Sequence, residues 1–267
     1  MRLKKWERVR YNPNPLVEVV AQVRFPRVLE LDDQLPSVFQ RAIQEDYPFL
    51  EIQEDAISVT IGQGKNTLLS NELPKSTVYH FVSLDRSWRI SLCSEFFALT
   101  CDKYEQWEGF RQRMMTALSE IQNLYLIVII TRIGLRYRDL IIREDVGMQG
   151  VPWRELISPL LLGITIADGL SDDGEVAESD VLAAQSHIGL LLDNCQLNLR
   201  HGLAHREPNR ESAYLIDADY FVDNQVTRFN LDDIGLQLDK FHANAGSIFR
   251  GCIQQRLHDA LNPTPIS

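Results

Sequence analysis

Apolar positions recur along this chain with two periods, and the change of period between residues 104 and 142 organises the rest. Trp107, Phe110, Met114, Ala117, Leu118, Ile121 and Tyr125 fall three and four apart, which places them on one face of a helix from Lys103 to Tyr125. Leu126-Ile127-Val128-Ile129-Ile130 follows as an unbroken apolar run. It is too short to span a bilayer and is predicted to be a strand buried on both faces. From Thr131 the pattern alternates. Arg132, Gly134, Arg136 and Arg138 fall on one side and Ile133, Leu135 and Tyr137 on the other, so a strand leaves the core carrying a row of arginines.

Either side of this centre the patterns resemble each other. Before it come a half-buried strand over residues 16–25 and a short helix from Leu35 to Tyr47, with Pro36 in its first turn where the missing N–H costs nothing. Strands follow over Ala56–Gly62, Thr77–Leu84 and Trp88–Thr100, separated by the loop Gly62-Gln63-Gly64-Lys65-Asn66 and the turn Asp85-Arg86-Ser87. Two glycines one residue apart, without a lysine–hydroxyl ending or a following helix, do not make a phosphate loop. After the centre come a short helix from Trp153 to Leu162 and an acidic loop from Gly169 to Asp180. Strands over Val181–Leu192, Cys195–Leu203 and Ala213–Val222 precede a closing helix from Leu231 to Leu261, opened by Asn230, Asp232 and Asp233. The expected fold is α+β with internal duplication, each half an antiparallel meander followed by a long amphipathic helix on its sheet. Residues 1–15 form a basic arm, 16–145 the first half, 146–180 a linker and 181–267 the second half.

Composition narrows the functional classes. With 267 residues and 45% apolar content the chain can bury a core, while a net charge of −10 argues against a whole-molecule electrostatic grip on nucleic acid. Cys93, Cys101, Cys195 and Cys252 are scattered without metal-type spacing, which disfavours a zinc site and a disulfide framework. The first ten residues lack the apolar core of a signal peptide and no segment reaches the length of a membrane span, so a cytoplasmic protein with no membrane partner is expected.

Three constellations are candidates for chemistry. Arg132, Gly134, Arg136 and Arg138, with Arg200, His201 and His205 at a similar place in the second half, suit a phosphate, a carboxylate or a partner surface; the glycine would let a ligand approach the backbone. The same pattern also fits a solvated face paired with acids on a neighbouring strand. Asp217 and Asp219 share a strand face in an arrangement able to hold a divalent cation, with Asp223, Glu95 or Asp139 as a third carboxylate; otherwise they are partners for the arginines. His201 and His205 would face together on a helix, but the pattern there is a strand end and loop. His242 and His258 on the closing helix read as packed or capping residues. No nucleophile elbow and no cysteine signature is present, and no resident cofactor is expected.

With these residues in view, the chain resembles a family of sporadically distributed bacterial proteins of unknown function and about this length. The resemblance rests on Asn14-Pro15-Leu16-Val17-Glu18-Val19-Val20, on Tyr104, Trp107 and Phe110, and on Arg132-Ile133-Gly134-Leu135-Arg136-Tyr137. It extends to Tyr214-Leu215-Ile216-Asp217-Ala218-Asp219 and to Phe241-His242 with Ile248-Phe249. Arg138-Asp139 departs from the pattern, which would carry a residue such as asparagine after the tyrosine. The resemblance implies no activity and no catalytic residues; its patchy distribution looks like that of defence or toxin–antitoxin genes. The expected function is a non-enzymatic protein-interaction module whose partner is another protein, with the oligomeric state open. A binder of nucleotide or RNA through the arginine row and a metal-dependent hydrolase or nuclease built on Asp217 and Asp219 are the alternatives.

Overall fold

The structure, a computed structural model, describes residues 1–56, 76–163, 178–181, 183–206, 211–223 and 226–266. The expected loop over residues 62–66 and the acidic stretch over 169–177 lie outside them, as does most of the strand expected after Ala56.

The first part of the chain contributes β1 (Val9–Arg10), β2 (Leu16–Arg24), α1 (Glu30–Asp33), α2 (Ser37–Ile43), β3 (Phe49–Ala56), β4 (Ser76–Val82), β5 (Trp88–Cys93), β6 (Phe96–Cys101) and α3 (Trp107–Tyr125). Then come β7 (Ile129–Ile130), β8 (Arg132–Ile142), α4 (Pro159–Leu162), β9 (Gln185–Leu191), β10 (Gln196–Arg206) and β11 (Glu211–Val222). The chain closes with β12 (Thr227–Arg228), α5 (Leu231–Cys252), α6 (Gln255–Ala260) and β13 (Thr264–Pro265). The class is α+β. A nine-stranded antiparallel sheet runs β3-β4-β5-β6-β2-β8-β11-β10-β9, with two-stranded pairs β1-β13 and β12-β7. No helix among the described residues is long and apolar enough to cross a membrane, and all four cysteines are free and buried.

Two compact units, neither contiguous in sequence, account for the packing: residues 18–136 with 219–242, and residues 1–17 with 137–218 and 243–267. In the first, Val19, Ala21 and Val23 of β2 lie with Ile90, Leu92, Phe97 and Leu99 in a core to which α3 adds Phe110, Met114, Leu118 and Ile121. Ile234, Leu238 and Phe241 of α5 are equally buried, and Phe39 of α2 meets Phe81 edge-on at 5.4 Å. The single strand expected over Trp88–Thr100 is instead a hairpin, with Trp88 opposite Cys101 and Cys93 opposite Phe96. Both arms are buried on two faces, and the two-residue turn Ser94-Glu95 between them carries no glycine, proline, asparagine or aspartate to mark it. The turn carbonyls of Ser94 and Glu95 accept from the Val28 and Phe25 N–H groups at 2.8 and 3.1 Å.

The apolar run after α3 is also corrected. Leu126 takes a left-handed conformation (φ 48°) that closes α3, its N–H bonding Gln122 O, and only Ile129 and Ile130 pair, with Arg228 and Thr227 of β12. Leu126 and Val128 are 78% and 69% exposed, so this is no doubly buried strand.

In the second unit, Trp153, Leu156, Ile157, Leu197, Leu199, Ile216 and Leu257 are core. The closing helix is interrupted. Ser158 N–H donates to Cys252 O and Gln254 N–H to Leu156 O, both at 2.8 Å, and Ile157 bridges Ile253, so α5 ends at Cys252 and α6 restarts at Gln255.

Candidate functional site

Strand β8 delivers Arg132 to a buried network rather than to solvent. Its Nη2 donates to both Asp219 oxygens, at 2.9 and 3.3 Å, and Nη1 donates to Gln22 Oε1 at 3.2 Å. Both side chains of the ion pair are 6% exposed. The guanidinium also lies 4.9 Å over the Phe221 ring. Burial pulls the Arg132 pKa below its ordinary value, and Asp219 opposes that pull. Gly134 serves this arrangement directly: a Cβ there would collide with the Arg132 guanidinium. The space expected to admit a ligand is thus filled by the arginine itself.

Of the remaining row, Arg136 and Arg138 are half-buried, and Arg200 is exposed, next to the buried His201 on β10. An anion at Arg132 would have to displace the Asp219 carboxylate. Asp217 and Asp219 are both buried on β11, Asp219 already engaged by Arg132. Among the described residues no three histidines, cysteines or acids converge in a way that could hold a metal ion. Asp139 is buried on β8, where burial and then the Asp217 charge push its carboxyl up to about 8. It is therefore a neutral acid at pH 7, close in shape and hydrogen-bonding character to an asparagine.

His201 and His205 do not meet. Four residues along a strand is about 13 Å, and His205 is exposed while His201 is 4% exposed. His201 instead forms a dyad with Tyr214 of β11. Nδ1 lies 2.9 Å from the Tyr214 hydroxyl, and that hydroxyl donates to the Leu161 carbonyl at 3.3 Å. Burial lowers the His201 pKa and raises that of Tyr214, so the imidazole is neutral and the phenol protonated. With the phenolic proton on Leu161 the oxygen accepts from Nδ1–H; with the phenol donating to Nδ1 across the shorter 2.9 Å contact, the ring proton sits on Nε2. Nε2 is buried without a partner. Behind the dyad, the Tyr214 ring packs on Trp153 at 5.6 Å, Arg143 lies 4.6 Å over Trp153, and Glu178 bonds both Arg143 (3.0 Å) and the Trp153 N–H.

The sequence reading missed a polar clamp between α3 and α5. Asp239 accepts from Trp107 Nε1 at 2.8 Å and from Arg111 Nε at 3.0 Å, while His242 stacks on Trp107 at 4.5 Å and 7°. The signal was present as helical spacing: Trp107 and Arg111 are four apart, and Asp239 and His242 three apart. Nothing in the spacing says that the two faces meet. No family model, curated protein or solved structure matches the chain.

Proposed function

We propose that the chain is a binding module whose partner is another protein, which adds an extended segment to the outer edge of β3, where no described strand lies. One observation carries the reading. Strand β3 ends the sheet, no described strand lies on its outer side, and it displays Phe49, Leu50 and Ile52 at 37%, 39% and 49% exposure. Leu50 and Ile52 stand opposite Phe81 and Tyr79 of β4, both buried, so they continue the core face past its cover. On the other face, Arg86 pairs with Glu51 at 3.0 Å and lies 5.1 Å over Phe49. An open strand edge with apolar residues invites strand addition: main-chain bonds supply affinity, and the alternating side chains select a segment with apolar residues at every second position. The far edge, β9, is less apolar, with Gln185, Ser186, His187 and Gly189 exposed.

The test begins with gentle affinity purification of the tagged chain from a bacterial host, and the co-purifying protein is then remixed with variants. Leu50→Lys/Ile52→Lys is expected to weaken capture at least about tenfold while the melting temperature holds, and Leu191→Lys on β9 to leave capture unchanged. Equal capture by all three proteins, or a chain that retains no protein, would remove the proposal.

The expected duplication belongs to the same reading. From β2 to α3 and from β8 to α5 the chain runs strand, helix, meander, long helix. In both runs the last meander strand lies beside the first strand, β6 next to β2 and β11 next to β8. The expected halves, 16–145 and 181–267, put β8 in the first; this order supports instead a repeat whose second copy opens at β8.

A further inference from the structure

We propose that the basic N-terminal arm is a docked strap that binds an acidic, extended segment of a partner protein. Residues 1–10 hold five of the chain's 27 lysines and arginines but one of its 37 acids, which leaves a charge of −14 on the remainder. The arm does not trail into solvent. Leu3, Trp6 and Val9, every third residue, are half-buried, while Arg2, Lys4, Lys5, Glu7, Arg8 and Arg10 are exposed. At one end Arg2 Nε holds Asp193 at 3.2 Å. At the other, Val9 and Arg10 pair with Pro265 and Thr264, the Ile266 N–H donates to the Arg8 carbonyl at 3.0 Å, and the Asn12 N–H donates to the Leu261 carbonyl at 2.8 Å. Between these ties the Trp6 ring lies 4.5 Å from the Arg250 guanidinium of α5, and Tyr11 meets Phe249 edge-on at 5.4 Å. A partner therefore meets charges already fixed in place, without the ordering cost of a flexible tail.

The chemistry of the row selects the occupant. Lys5 and Arg10 are exposed and pair with no acid among the described residues, and Lys4 holds its ammonium 3.8 Å over the Trp6 ring. From Lys4 to Arg10 an extended chain runs about 20 Å, so carboxylates at alternate positions of a facing strand, about 7 Å apart, can meet the row. The acidic remainder of the molecule disfavours a longer polyanion. A nucleic acid would carry its phosphates past the strap into like charge, whereas the acids of a peptide can end where the strap ends. Trp6 is also a poor platform for a base, because Lys4 and Arg250 already lie over its ring. Among the described residues, positions 2–7 make no main-chain hydrogen bond, which leaves their N–H and C=O groups for an extended peptide to use. The strap belongs to a different compact unit from β3, and the two proposals stand independently.

The test uses the full chain and fluorescence anisotropy. The probe is a labelled decapeptide alternating glutamate and alanine, with its glutamine counterpart and a single-stranded uridylate decamer as controls. The glutamate peptide is expected to bind saturably at low ionic strength and to be released at about 1 M salt, where the screening length is about 3 Å. Lys5→Glu/Arg10→Glu should weaken binding at least about tenfold while the melting temperature holds, since neither side chain has an ion-pair partner to lose. Trp6→Ala keeps every charge but loosens the strap, and should weaken binding several-fold. Leu50→Lys/Ile52→Lys should not weaken it, which separates this surface from the edge of β3. The proposal is overturned if the glutamate peptide does not bind, if the glutamine peptide binds as well, or if the RNA binds more tightly than the peptide. It is equally overturned if Lys5→Glu/Arg10→Glu or Trp6→Ala binds as the native chain does, or if the β3 substitutions weaken binding as much as the charge reversals.

Discussion

Arg132 and Asp219 form a pair whose two halves have unequal consequences when removed. Each is a buried charge, so Arg132→Leu takes the guanidinium from the Asp219 carboxylate and is expected to cost about 3–5 kcal/mol, whereas Arg132→Leu/Asp219→Leu should recover most of that loss. Gly134→Ala drives a methyl into the guanidinium and should cost about 1–3 kcal/mol in the native background. In the double-leucine background the same substitution should be nearly silent, because the atoms it strikes are gone. Urea unfolding followed by tryptophan fluorescence measures all four proteins. A Gly134→Ala penalty that survives loss of Arg132 would show that residue 134 matters for the backbone alone. The row of arginines was legible in the sequence because a strand repeats every second residue. The tenant of the space above Gly134 was not, since it depends on β2 and β11 flanking β8, an order no local pattern encodes.

At the scale of elements, α3 and α5 are joined through Asp239, and the two substitutions that probe this joint differ in size. Asp239→Ala leaves the Trp107 indole N–H, on a ring 7% exposed, without its acceptor, and should cost about 1–2 kcal/mol. Gly235→Ala places a Cβ 2.6 Å from Arg111 Nη2, but that side chain is 37% exposed and can swing outward. The helix meanwhile gains about 0.8–1 kcal/mol from alanine over glycine, so the net effect should lie near zero. Thermal unfolding of the two variants side by side decides the matter; a Gly235→Ala loss as large as that of Asp239→Ala would mean that Arg111 cannot move. Element type was readable where one face alone is buried, as in α3. It failed where burial is two-sided, in the β5–β6 hairpin, and where partners elsewhere in the chain override the local period. Ile253 is such a place: apolar spacing continues to Leu261, yet the Leu156 carbonyl takes the Gln254 N–H and Ile157 bridges Ile253, which ends the helix.

For the molecule as a whole, the α+β class followed from counting meanders and helices, while the merging of nine strands into one sheet required the β2–β8 adjacency that no periodicity announces. Its pH response is set by groups whose burial no pattern announces. Asp139 titrates at about 8 when folded and near 3.9 when unfolded, so between those values the folded state holds the extra proton and stability falls as pH rises. His80, His201 and His258 act oppositely: their folded pKa values are lowered by burial, so their contribution is lost as pH falls through the unfolded value near 6.5. Cys101 and Cys252, raised to about 11 and about 12, take effect above about pH 8.5, where unfolded thiols ionise. Between about pH 6.5 and 8 the Asp139 contribution should fall by up to about 1.4 kcal/mol per pH unit, roughly 2 kcal/mol in all, while the three histidines, half protonated at about pH 6.5 when unfolded, return part of it. Asp139→Asn keeps the shape of the neutral acid and cannot ionise but retains the histidines, so its stability should rise slightly over this interval and the difference between the two profiles isolates Asp139. Parallel profiles for the two proteins would mean that Asp139 meets water in the folded state, and the decline would then have to come from another buried group.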